Sequence, residues 1–162
     1  MKNNLMKIFG KTMNAVILLT FAAGASMAQN AKGGGGRLEG TWEARVTIRV
    51  CATGAEIRSF DSLGIFMKGG TMIDSTSGIP QALKTPGQGV WDHVEGNTYS
   101  FKFKSFSFNA AGAYTGYSII QHEANLNSNA DGYASTGTAK VYLPNGTLVF
   151  SGCSTTTATR FE

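Results

Sequence analysis

Histidine, cysteine and proline are almost missing from this chain, which holds two, two and three of them in 162 residues. A metal centre needs three or four converging ligands, and His93 and His122, isolated from each other and from any close His/Cys/Asp spacing, do not supply them. No metal is expected. There is also no GxSxG, P-loop or dinucleotide fingerprint, and the glycine run Gly33–Gly36 lacks the preceding strand and following helix that a phosphate loop requires. No cofactor is expected either. The two cysteines, Cys51 and Cys153, show no CxxC spacing, so one structural disulfide is the first expectation for an exported chain.

Charge is scarce as well, at 15% of residues. Lys2, Lys7 and Lys11 lead into the apolar AVILLTFAAGA and then the small residues of SMA, the pattern of a secretory signal peptide over residues 1–28 with cleavage near Ala28. The apolar run is short for a membrane span and polar residues follow it, so a retained anchor is the lesser reading. The expected location is the periplasm or the extracellular space. Cleavage removes three of the fourteen basic residues and no acid, leaving eleven against ten. That balance gives no electrostatic footprint for nucleic acid or an anionic membrane. Lys102 and Lys104, set between phenylalanines, are read as the solvent face of an aromatic strand rather than a single-strand nucleic-acid platform. The sequence sets no oligomeric state.

What remains is long enough for one domain. Residues 29–37, with their four glycines, read as a flexible lead-in, and the domain is placed at 38–162. It shows no sustained helical period; it shows period-two alternation, β-branched and aromatic enrichment, and frequent Gly or Asn breaks. About eight strands joined by short turns predict an all-β antiparallel meander, closed as an up-and-down barrel or folded as a two-sheet sandwich. In the first strand Trp42, Ala44, Val46, Ile48 and Val50 share one face, with Cys51 on the other. The longest expected loop is Gly78–Gly89, a candidate cover for a mouth. In TYSFKFKSFSF, a bulge at Lys104-Ser105 would bring Phe106 and Phe108 onto the face of Tyr99, Phe101 and Phe103.

If Cys51 bonds Cys153 across antiparallel first and last strands, Arg160 falls opposite Ala44, beside Trp42. The sequence Gly40-Thr41-Trp42, with an Arg on the last strand lying over the Trp, resembles the shared signature of the calycin superfamily of small secreted barrels, the lipocalin-like proteins. The resemblance implies an eight-stranded barrel with Gly40, Trp42 and Arg160 plugging its closed end and a small, mostly apolar ligand inside. No subfamily is identified.

For the interior, Trp91, Tyr99, Phe101, Phe103, Tyr117 and Met67 are the expected ligand-lining residues, unless they pack a solid core. Asp92, His93, His122 and Glu123 are the catalytic candidates. Strand neighbours point to opposite faces, so useful pairs would be His93 with Glu123 or His122 with Asp92, formed across strands. The leading expectation is a binder of a small apolar molecule. Its alternatives are a barrel enzyme, a cyclase or isomerase of the allene oxide cyclase or dirigent type using an interior acid or base, and a solid barrel that docks proteins.

Overall fold

Alternation at period two, with Gly, Asn or Pro at each break, is the pattern of half-buried antiparallel strands. A computed structural model describes residues 37–161. The expected leader, and all of the lead-in but Arg37, lie outside the described residues. Eight strands follow in order: β1 Gly40–Arg49, β2 Glu56–Met67, β3 Thr71–Thr76, β4 Gly87–Glu95, β5 Thr98–Phe108, β6 Tyr114–Leu126, β7 Gly132–Tyr142 and β8 Leu148–Arg160. Each pairs with its neighbour antiparallel, and β8 returns to β1, closing an up-and-down barrel compatible with a calycin-like fold. Among the described residues every strand therefore has a paired neighbour on both sides.

One end is plugged. Trp42 is fully buried, its Nε1–H donates to the Leu38 carbonyl at 2.9 Å, and the Arg160 guanidinium lies 4.5 Å above its ring. The same guanidinium donates to the carbonyls of Ala130 at 2.6 Å, Glu39 at 2.8 Å and Arg37. One planar, permanently charged fork thus caps an aromatic face and satisfies chain ends that would otherwise be bare. Gly40 makes room for it: φ is +124°, and a Cβ there would stand 2.6 Å from Arg160 Nη1. Above this plug Phe66, Trp91, Tyr99 and Tyr133 pack edge-on or tilted against one another, and Trp91 Nε1–H is satisfied by the Met67 carbonyl at 3.0 Å.

The disulfide joins Cys51 to Cys153, with their Cα atoms 5.0 Å apart. Its register differs from expectation by two residues: Trp42 faces Arg160 directly, Ala44 faces Ala158, and Cys153 pairs with Arg49. The reason is that β1 ends at Arg49, so Cys51 sits in the following turn and reaches back to its partner. A shift of two preserves side-chain parity, so Trp42 and Arg160 still share a face.

Strand β5 also departs from expectation. Pairing with β6 runs unbroken through Lys104↔Ile119 and Ser105↔Ser118 and shifts only at Ser107/Phe108. No bulge moves Phe106 inward; it stands outside, 44% exposed, and Ser105 takes the inner place. The expected long loop is shorter, residues 77–86, because Gly87 and Gly89 enter β4. Neither glycine could carry a side chain: a Cβ at Gly87 would meet the Phe103 ring at 2.4 Å, and one at Gly89 would meet the Lys102 carbonyl at 2.0 Å.

Candidate functional site

A solid core requires facing side chains large enough to fill the barrel axis. Here the large ones are unevenly distributed. Strands β2 and β5 send in Phe66, Phe101 and Phe103, while β1, β7 and β8 contribute mostly smaller residues, Ala44, Val46, Ala139, Ser154 and Thr156, with Tyr133 and Phe150 at either end. The result is a cavity of about 380 Å³ between these strands, extending from the closed-end aromatics to a mouth formed by Ile57, Phe60, Gly78, Ile79 and Phe150. The loop 77–86 therefore forms part of the rim. Arg58 Nη1–H holds it by donating to the Gly78 carbonyl at 3.0 Å, and Gln81 Nε2–H by donating to the Thr76 carbonyl at 2.8 Å.

The cavity is mostly apolar, with two polar clusters built into its walls. His122 is the centre of the first. It projects inward from β6, 4% exposed, stacked on Phe101 with ring centroids 5.2 Å apart. Its neighbour across the sheet is Gly137, and that missing side chain lets the imidazole lie over β7: a Cβ there would be 2.3 Å from His122 Cδ2. Nδ1 then reaches Ser135 Oγ at 2.9 Å and Nε2 reaches Ser154 Oγ at 2.7 Å. The hydroxyls can serve either as donors or as acceptors, so they suit neutral and charged imidazole alike. Burial decides the matter, pushing the imidazole down to about 4.

The second cluster lies across the cavity. Asp74 Oδ1 is 2.6 Å from Ser62 Oγ, and Lys84 Nζ is 3.8 Å from Asp74 Oδ2. Both residues line the cavity. Burial raises the Asp74 carboxyl above its ordinary value, with Ser62 and Lys84 opposing that rise, and burial lowers the Lys84 amine against the pull of Asp74. Burial also holds the nearby Tyr133 phenol high, with the Asp74 charge adding to it. Between the clusters sits Ser105, 1% exposed, whose Oγ has no hydrogen-bond partner among the described residues.

The residues expected to line a ligand are dispersed. Phe101 and Phe103 do line the cavity. Trp91 and Tyr99 are buried in the closed-end cluster instead. Met67 and Tyr117 are on the outer face, because Phe66 and Ser118 beside them point inward. Tyr117 stacks on Tyr142 at 4.9 Å beneath Lys104 Nζ. The expected histidine pairs do not form either. Asp92 and Glu123 both face Ser100 on the outside, whereas His122 faces Phe101 inside, and His93 donates to the Gly96 carbonyl at the closed-end rim.

Asp74, Lys84, Ser62, Ser105, Ser135 and Ser154 were not among the expected site residues. For Asp74 a signal existed: the Gly69-Gly70 hairpin sets Met72 opposite Phe66 and so gives Asp74 the inward parity of Phe66. For Lys84, in the loop, none did. Among the described residues no group of three or more His, Cys, Asp or Glu could hold a metal ion. Compared with known proteins, the chain matches no family model, no curated protein and no solved structure.

Proposed function

We propose that this is an exported barrel that encloses a small, mostly apolar molecule bearing at least one hydrogen-bonding group. The observation that carries this reading is the largely apolar cavity of about 380 Å³, with Ser62, Asp74, Lys84 and Ser105 among the few polar residues of its walls. That volume falls within the size range of small-molecule sites, and apolar walls with a few placed polar groups are their usual make-up. The Cys51–Cys153 bond supports an oxidising compartment. A second reading, a barrel enzyme working by interior proton transfer, is favoured by one specific observation: Asp74 and Lys84 face the cavity within 3.8 Å of each other.

The test uses a neutral apolar fluorophore, N-phenyl-1-naphthylamine, alongside native mass spectrometry of protein purified without denaturation. The folded protein is expected to bind the dye with blue-shifted emission, and any co-purified small molecule should compete with it. Ala139→Phe, which places a ring in the cavity, should weaken dye binding at least tenfold. Absence of binding, or equal binding by the variant, would refute the enclosed site.

A further inference from the structure

Lys84 is the one lysine among the described residues that lines the cavity; Lys68, Lys102, Lys104 and Lys140 are all exposed. Its position is built, since it follows the 3₁₀ turn Gln81–Leu83, returns to extended backbone and bridges to Ser107. The next residue is clamped twice to β5: Thr85 N–H donates to the Phe106 carbonyl at 3.0 Å, and Phe106 N–H donates to Thr85 Oγ1 at 3.0 Å. With the backbone pinned outside, the side chain passes inward and is only 9% exposed. Its amine ends 3.8 Å from a carboxyl group.

The hydrogen bonds around that carboxyl can accommodate a protonated acid, although Ser62 and Lys84 pull against the burial that raises it. Ser62 Oγ is 2.6 Å from Asp74 Oδ1 and 3.0 Å from the Ser75 carbonyl, yet a hydroxyl has a single proton to give. With Asp74 ionised, Ser62 can serve only one of these acceptors well. With Asp74 protonated, the acid donates to Ser62 and Ser62 donates to Ser75, so both bonds are made. Burial drives both members of the pair the same way, toward a neutral acid beside a neutral amine. The other titratable groups of the cavity are His122, Tyr133 and Arg58, and Arg58 is engaged with the loop carbonyl of Gly78.

We propose that Lys84, with Asp74 as its proton donor, forms an imine with the carbonyl group of an apolar aldehyde or ketone held in the cavity. A desolvated amine is the nucleophile such chemistry needs. The Lys84 nitrogen adds to the carbonyl carbon, and one of its protons ends on the carbonyl oxygen to give a carbinolamine. Asp74 supplies the proton with which the hydroxyl leaves as water, and the C=N bond forms as the C–O bond breaks. The products are water, an iminium at Lys84 and a carboxylate at Asp74. A neutral pair is thereby replaced by an ion pair of the same total charge. The proposal rests on the cavity-binding reading above and adds the ligand's functional group.

The test is reductive trapping of the wild-type protein with decanal and cyanoborohydride, followed by peptide mapping, with decanol as the matched ligand that lacks a carbonyl. The expected result is one decyl group on Lys84, suppressed by excess decanol, and no comparable label on the four exposed lysines. Asp74→Asn should slow labelling at least tenfold, with the variant's fold checked by far-UV circular dichroism. Label spread over Lys68, Lys102, Lys104 and Lys140 with Lys84 spared, or unchanged labelling of Asp74→Asn, overturns the proposal. The mapping needs no variant to fold. Dye binding without Lys84 labelling defeats the imine alone, whereas no dye binding defeats the cavity reading beneath it.

Discussion

Acid should destabilise this barrel through His122, and the size of the effect follows from its site. The imidazole is 4% exposed, hydrogen-bonded among the described residues only to the hydroxyls of Ser135 and Ser154, and held at about 4 by burial. Its unfolded value is about 6.5. Between these limits the unfolded chain binds a proton that the folded chain refuses, so stability rises with pH across that window and is lost as pH falls through it. The full gap is worth about 3 kcal/mol, and the part lost between pH 7.5 and 4.5 is about 2.5 kcal/mol. Asp74 has the opposite sign: its raised value means the unfolded acid ionises first, so its contribution falls as pH rises above 3.8. The wild-type curve sums the two. His122→Gln keeps a side chain able to bond the serines and removes the titration, so urea unfolding of both proteins at pH 7.5 and 4.5 isolates the His122 part. The wild type should lose about 2.5 kcal/mol more than the variant across that range. Parallel losses, or a His122 ring resonance that titrates near 6.5, would falsify the assignment of a buried neutral imidazole.

Two further predictions concern how the site is framed. The Cys51–Cys153 bond spans 102 residues, and on the chain-entropy account removing it costs about 4.7 kcal/mol. The Cys51→Ala/Cys153→Ala protein should show that loss in urea titrations yet still bind the cavity dye, since β1 and β8 remain paired from Trp42↔Arg160 to Arg49↔Cys153; a loss below about 1 kcal/mol would contradict the account. Gly137→Ala puts a Cβ 2.1 Å from the Gln121 carbonyl oxygen and 2.3 Å from the His122 ring, and should cost about 1–3 kcal/mol. Its signature is a displaced His122 resonance, and an unshifted ring with unchanged stability would show that the close approach is not needed.

The barrel was legible because its strands alternate and its ends carry large, unambiguous residues. Trp42 and Arg160 share a parity that survives a two-residue register error, since the sheet repeats every two residues. The same periodicity explains why Met67 and Tyr117 are on the outside: aromatic or apolar character does not set the face a strand residue occupies. An aromatic on the outside of a closed barrel is common enough that residue type alone does not place it. The interior chemistry was hidden for a different reason. A cavity is defined by what does not fill it, here Ala44, Ala139 and Ser154, and small residues in a strand give no signal by themselves. The polar groups those residues leave room for come from three separate places: His122 on β6, Asp74 on the short β3, and Lys84 in the loop after the 3₁₀ turn. Only closure of the barrel sets Asp74 and Lys84 across one space from His122, at sequence separations no local motif records. The charged groups most visible in the sequence, Asp92 and Glu123 beside the two histidines, are outside for the same parity reason that puts His122 within. In a closed barrel, then, a charge next to a histidine in sequence is evidence against their meeting, and the groups that do meet the interior belong to other strands.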